Sequence, residues 1–199
     1  MLIMTNKIGL FGGSFDPVHI AHLIIASVIK CEFSLEKIFF IPNYLSPFKI
    51  NSTETNADHR LEMLKLAVEN NDDFELSDFE IRQNRPVYTY ETINYFKTLL
   101  PNKELYLIVG SDSFKSITNW KNFSHIKKNA GIIIAQRPDN DLSVQEDNEK
   151  GIHTSKLCPL MNISSTMIRQ MISEKLNIKY LVNEKVQHYI IDERLYPTT

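Results

Sequence analysis

Gly12-Gly13-Ser14-Phe15-Asp16-Pro17-Val18-His19-Ile20-Ala21-His22 follows a short apolar run, Ile8-Gly9-Leu10-Phe11, and precedes a segment of helical character, Leu23 to Phe33. The order is strand, glycine turn, helix start. Two glycines allow a sharp turn and a close ligand approach, with no Cβ in the way. The helix N-terminus offers unpaired N–H groups and the positive end of the dipole, which suit phosphate. His19 and His22 are three residues apart and can share one face at the helix entrance. Their imidazoles are candidate hydrogen-bond donors to phosphate oxygens. The stretch lacks the Gly-Lys-Ser/Thr ending of a Walker A loop, and it is not G-x-G-x-x-G. Read alone, it also fits a glycine turn carrying two surface histidines.

Outward from this stretch, apolar runs and helical spacings alternate. Ile8–Phe11 reads as a strand buried on both faces, followed by a helix from about His19 to Phe33. Lys37–Ile41 is a second buried strand, ended by Pro42. Asp58 is the expected cap of a helix with Leu61, Leu64 and Val68 at helical spacing. Phe74–Ile81 holds one strand or two short ones, and Thr89 to Leu100 is a helix stopped by Pro101. Leu105–Val109 and Gly131–Gln136 are further strands, and 139–150 reads as a polar surface loop. A strand at Lys156–Leu160 leads to Ser164-Ser165-Thr166, a helix to about Lys175, and a final helix from Asn183 to about Asp192. Strands alternating with helices predict an α/β fold with a doubly wound parallel sheet. Such sheets bind ligands beyond the carboxyl ends of their strands, where strand order reverses. Gly12–His22, Gly110-Ser111-Asp112 and Ser164–Thr166 each follow a predicted strand, so they converge there.

Composition narrows the partners. The 199 residues suit one sizeable domain and are short for two. The net charge of −2 argues against a nucleic-acid partner, which would want a basic stripe. No apolar run approaches a membrane span, and the N-terminus is too short for a signal peptide. Cys31 and Cys158 lie far apart without metal-ligand spacing. They read as reduced core thiols of a cytoplasmic protein.

Ser165-Thr166-Met167-Ile168-Arg169 opens a helix. Its hydroxyls and free N–H groups are candidate phosphate donors, and Arg169, one turn on, can reach the same anion. An ordinary N-cap with a solvated arginine would look the same. Thr89 is equally a helix cap or a ligand donor. Trp120, the single tryptophan, is either a packing residue or a stacking surface for a flat ring. Asp112 is either a solvated turn aspartate or an acceptor for a ribose hydroxyl.

The Gly12–His22 stretch resembles the signature of the H-x-G-H nucleotidyltransferase superfamily, with Ala21 where glycine is usual. Further segments narrow the resemblance: Asp58-His59-Arg60-Leu61, Glu80-Ile81-Arg82, Tyr88-Thr89-Tyr90-Glu91-Thr92, Gly110-Ser111-Asp112 with Trp120, and Ala135-Gln136-Arg137-Pro138. With Ser164–Arg169, Val186–Ile190 and Leu195-Tyr196, they are together similar to bacterial nicotinate-nucleotide adenylyltransferases, in order over nearly the whole chain. One departure is Ser46-Pro47-Phe48-Lys49, where the family has Pro-Pro-His-Lys.

The resemblance implies a Rossmann-like nucleotidyltransferase fold with a small C-terminal helical part, roughly 162–199. It implies transfer of AMP from ATP to nicotinate mononucleotide, direct and in line, with release of pyrophosphate in NAD biosynthesis. His19, His22, Lys49 and Arg169 are the implied catalytic residues. ATP would meet Gly12, Gly13, Ser14, Phe15, His19, His22, Gly110, Asp112, Ser165, Thr166 and Arg169. Nicotinate mononucleotide would meet Ser14, Lys49, Thr89, Asp112, Trp120 and Arg137. Mg²⁺ is expected on the triphosphate, without a protein-built metal cage. The expected partners are these small molecules, with no nucleic acid and no membrane, and homo-oligomerisation is left open. The alternatives are another adenylyl- or cytidylyltransferase of the superfamily, such as one acting on phosphopantetheine, or a nucleotide-binding regulator without turnover.

Overall fold

Continuous apolar runs become the centre of a parallel sheet because a strand covered on both faces needs apolar residues at every position. The computed structural model describes residues 5–45, 55–136 and 151–197. Within them, β1 (Lys7–Gly13), β2 (Lys37–Pro42), β3 (Phe74–Leu76), β4 (Glu104–Gly110), β5 (Gly131–Ala135) and β6 (Ile152–Thr154) form one sheet. The order is β3-β2-β1-β4-β5-β6, and every neighbouring pair is parallel. Strand order reverses between β1 and β4, so the doubly wound expectation holds and its switch point lies beyond Gly13 and Gly110.

Successive side chains serve opposite layers. On β4, Leu105, Leu107 and Val109 join one apolar cluster and Ile108 the other; on β5, Ile132 and Ile134 oppose Ile133. The first layer is α1 (Ile20–Glu32), α2 (Ala57–Val68), α7 (Ser165–Ser173) and α8 (Glu184–Asp192), packed through residues such as Ile29, Met63, Ile168 and Val186. The second is α4 (Thr89–Leu99) and α6 (Phe123–Asn129), through Ile93, Phe96 and Ile126. Burying a side chain such as Phe96 stabilises by about 1.5–3 kcal/mol. Two single-turn helices, α3 (Phe79–Arg82) and α5 (Ser111–Phe114), complete the set with a 3₁₀ turn at Ile117–Asn119.

Several local expectations are corrected. Asn56, not Asp58, caps α2: its side chain accepts the Asp58 N–H at 3.1 Å, and Asp58 falls in the first turn. Only Phe74–Leu76 of the 74–81 segment is strand, because the chain turns into α3 two residues later. The last strand is Ile152–Thr154 rather than Lys156–Leu160, where Leu157 and Leu160 point to solvent. Gly110-Ser111-Asp112 is a helix start, not an open turn. Cys158 is buried as expected, but Cys31 is exposed on α1. The loop expected at 139–150, Arg137 and the Ser46–Lys49 segment lie outside the described residues.

Candidate active site

Gly12 and Gly13 do not make the turn after β1; they are its last two residues. The turn follows at Phe15, with φ 49, and at a cis Asp16–Pro17 bond. The glycines matter instead for approach. A Cβ on Gly12 would meet nothing nearer than the Ile41 carbonyl oxygen at 4.0 Å, so packing leaves that face open. Gly13 has the Phe15 ring against it, 3.1 Å from where a Cβ would stand. The Phe15 side chain is thereby spent in the core, edge-on to Phe11 with centroids 5.7 Å apart.

His19 is the N-cap of α1 and buried. His22 lies one turn in, and the two rings stack with centroids 3.6 Å apart. The His19 backbone N–H donates to His22 Nδ1 at 3.2 Å. That bond makes Nδ1 an acceptor, so the proton of a neutral His22 ring sits on Nε2. Phe15 meets the ring edge-to-face at 5.0 Å and limits its rotation. Ser14 completes this side of the cleft.

α7 closes the same end. Ser164 caps it, accepting the Met167 N–H at 3.2 Å. Ser165 donates its hydroxyl proton to the Pro17 carbonyl at 2.9 Å, which stitches α7 to the turn. Its hydroxyl proton is therefore directed at Pro17, not at an anion. Arg169 Nη1 donates to the Asp16 carbonyl at 2.7 Å, and Nη2 to the Thr166 hydroxyl at 3.4 Å. Two helix N-termini, two imidazoles and a guanidinium thus border one space, a setting for an anion.

The other end is built from the second layer. Gly110 caps α5, with exposed Asp112 in its first turn. Half-buried Trp120 ends the 3₁₀ turn and packs on the second apolar cluster. Thr89 is the first residue of α4. One cleft of about 1010 Å³ is lined by residues of both ends, from Gly12 and His19 to Thr89 and Trp120. It brings together every site residue named from sequence that falls in the described part. Lys49 and Arg137 lie outside the described residues.

Four residues without a role in the sequence reading hold this cleft. Asp16 is buried; its carboxylate accepts the Tyr196 hydroxyl at 2.6 Å and the Thr55 N–H at 3.3 Å. Burial first, then the Asp16 charge, pushes the Tyr196 phenol far above its ordinary value. Arg60 is 1% exposed and donates to the carbonyls of Ser14, Tyr44 and Thr55 and to the Asn43 side chain. Glu80 lines the cleft from α3 and accepts the Thr92 hydroxyl at 2.6 Å. Burial lifts its carboxyl to about 7, against the lowering effect of Thr92. The segments containing Arg60, Glu80 and Tyr196 carried the resemblance, but roles for these three need tertiary contacts. Asp16 sat inside the decisive stretch, where its neighbours drew the reading.

Comparisons with known proteins agree with this geometry. The cytidylyltransferase-like family model matches residues 10–171. The probable nicotinate-nucleotide adenylyltransferase of Caldicellulosiruptor saccharolyticus is 39% identical over 196 residues, covering 96% of this chain and 98% of that protein. The nicotinate-nucleotide adenylyltransferase of Bacillus subtilis is 34% identical over 198 residues, with the same coverage. The chain belongs to the nicotinate-nucleotide adenylyltransferase family.

The fold agrees as well. Plasmodium falciparum nicotinic acid mononucleotide adenylyltransferase complexed with NaAD superposes with a TM-score of 0.78 at 23% identity, over 96% of this chain and 97% of that one. The nicotinate-nucleotide adenylyltransferase reading and the nucleotidyltransferase fold expected from the motifs therefore stand. Among the described residues no group of three or more His, Cys, Asp or Glu side chains is arranged to hold a metal ion. Among them, no helix is long and apolar enough to cross a membrane.

Proposed function

We propose that the chain transfers AMP from ATP to nicotinate mononucleotide, giving nicotinate adenine dinucleotide and pyrophosphate. The observation that carries this is the two-ended cleft at the switch point, with cationic and N–H groups at one end and Trp120 and Thr89 at the other. The relatives' names support the substrate pair. The 5′-phosphate of the mononucleotide attacks the α-phosphorus in line; the bond to the β-phosphate oxygen breaks and pyrophosphate leaves. No side chain serves as nucleophile, so catalysis is positioning and charge stabilisation. His22 Nε2–H offsets charge developing on the α-phosphoryl group, and His19 and Arg169 hold the triphosphate. Lys49, outside the described residues, is assigned to the phosphates by the family resemblance alone. Gly12, Gly13, Ser14, Gly110, Asp112 and the start of α7 contact ATP, and Trp120 stacks on the pyridine.

A divalent ion enters on the triphosphate as part of the substrate. Mg²⁺ suits phosphate oxygens and water, which would hold it there. The protein is proposed to work as a single nucleotidyltransferase domain in the cytoplasm.

Pyrophosphate release with ATP, Mg²⁺ and nicotinate mononucleotide tests the reading, with the dinucleotide identified by mass. Turnover with phosphopantetheine instead, or ATP binding without turnover, would overturn it.

A further inference from the structure

Arg169 stands beside a buried carboxylate and yet does not close on it. Its Nη1 is 3.9 Å from Asp16 Oδ2, outside hydrogen-bond range, while it donates to the Asp16 carbonyl at 2.7 Å. An arginine and a carboxylate this near ordinarily form short, paired hydrogen bonds. The Asp16 carboxylate is satisfied from elsewhere. The Tyr196 hydroxyl donates to Oδ1 at 2.6 Å, and the Thr55 N–H to Oδ2 at 3.3 Å. Tyr196 comes from beyond α8 and holds φ 60, an uncommon conformation for an aromatic residue. Its ring packs against the first apolar cluster, which holds that conformation in place.

We propose that Tyr196 is a positioning residue for nucleotide binding: by occupying the Asp16 carboxylate, it keeps Arg169 turned to the cleft. Without the phenol, Asp16 would be a buried carboxylate short of one donor. Arg169 stands 3.9 Å away, and its guanidinium would be drawn off the backbone and into a carboxylate pair. The arginine would then be partly neutralised before ATP arrived. The proposal rests on Arg169 binding the triphosphate. Tyr196 itself touches no substrate.

The test uses the full chain and separate Michaelis constants for ATP and nicotinate mononucleotide. Tyr196→Phe keeps the ring and removes one hydroxyl. It should raise KM for ATP by about five- to tenfold, as for losing support of a charged hydrogen bond, with KM for the mononucleotide within about twofold. Adding Asp16→Asn to Tyr196→Phe should recover much of the loss, because a neutral amide no longer captures the guanidinium. Tyr189→Phe, which removes a hydroxyl bonded to His59 Nδ1 at 2.8 Å, is the control and should leave both constants unchanged. In an Arg169→Ala background, Tyr196→Phe should add nothing to KM for ATP. Equal rises in both constants would make Tyr196 merely structural and overturn the proposal. So would an unchanged KM for ATP in Tyr196→Phe alongside a raised one in Arg169→Ala. If Arg169→Ala leaves ATP unaffected, the assignment of Arg169 falls first and the role of Tyr196 falls with it.

Discussion

His19 and His22 stack face to face, their planes 23° from parallel, at the mouth of α1. Because the His19 backbone holds His22 Nδ1, the donor left on His22 is Nε2. Losing a transition-state donor of this kind costs about 10²-fold or more in turnover. His22→Ala should therefore lower kcat by about that factor, read from initial rates of pyrophosphate release. Near-normal turnover in a folded variant would remove His22 from the chemistry.

Substrate choice should depend on the far end of the cleft. A carboxylate accepts at both oxygens, whereas a carboxamide turns an NH₂ toward any donor built for the acid. A mismatched buried donor costs roughly 1–3 kcal/mol, so nicotinate mononucleotide should be preferred over nicotinamide mononucleotide by about ten- to a hundredfold in kcat/KM. Thr89→Ala should narrow that ratio, while Trp120→Ala should impair both substrates alike. Equal use of the two mononucleotides by the wild-type protein would refute a carboxylate-specific site.

Glu80 ties stability to pH. Its carboxyl stands at about 7 in the folded chain against 4.5 unfolded, through burial opposed by the Thr92 hydroxyl and reinforced by the nearby Glu91 charge. The folded state thus binds the extra proton between those values. Its stabilising effect is full below about 4.5 and is lost as pH rises toward 7. Relative to Glu80→Gln, the wild-type protein should lose about 3 kcal/mol across that interval and change little above it. Urea unfolding of both proteins from pH 4.5 to 8 measures the difference; parallel curves would refute it.

Arg60, a buried cation, donates to three backbone carbonyls and to the Asn43 side chain. Arg60→Leu should leave those carbonyls without the donor and destabilise by roughly 3 kcal/mol or more. Arg60→Lys should recover only part of this, since an ammonium cannot reproduce the planar fork. Chemical denaturation midpoints decide it, and an Arg60→Leu protein as stable as wild type would show that other donors or water satisfy those oxygens.

What could be read from the chain follows from where its information is local. β1, β2, β4 and β5 are buried on both faces, so their runs of apolar residues were unambiguous. Short outer strands carry no such signal. Ile152–Thr154 has three residues, and the more apolar Lys156–Leu160 proved to be irregular and partly exposed. The cleft was legible where motif spacing sets it, at His19, His22, Ser165 and Arg169. It was not legible at Asp16, Arg60 and Tyr196, whose hydrogen bonds span separations of up to 180 residues. Even within the motif, the glycines were expected to turn the chain, yet Phe15 does so.

The bond between Asp16 and Tyr196 also sets a schedule. Ribosomes add about 5–20 residues per second, so the turn after β1 exists for roughly ten to forty seconds before Tyr196 is made. Through that interval the emerging chain carries its histidine pair and glycine strand end, but not the phenol that meets Asp16. Assembly of the phosphate end of the cleft therefore waits on Tyr196, however early its first residues leave the ribosome.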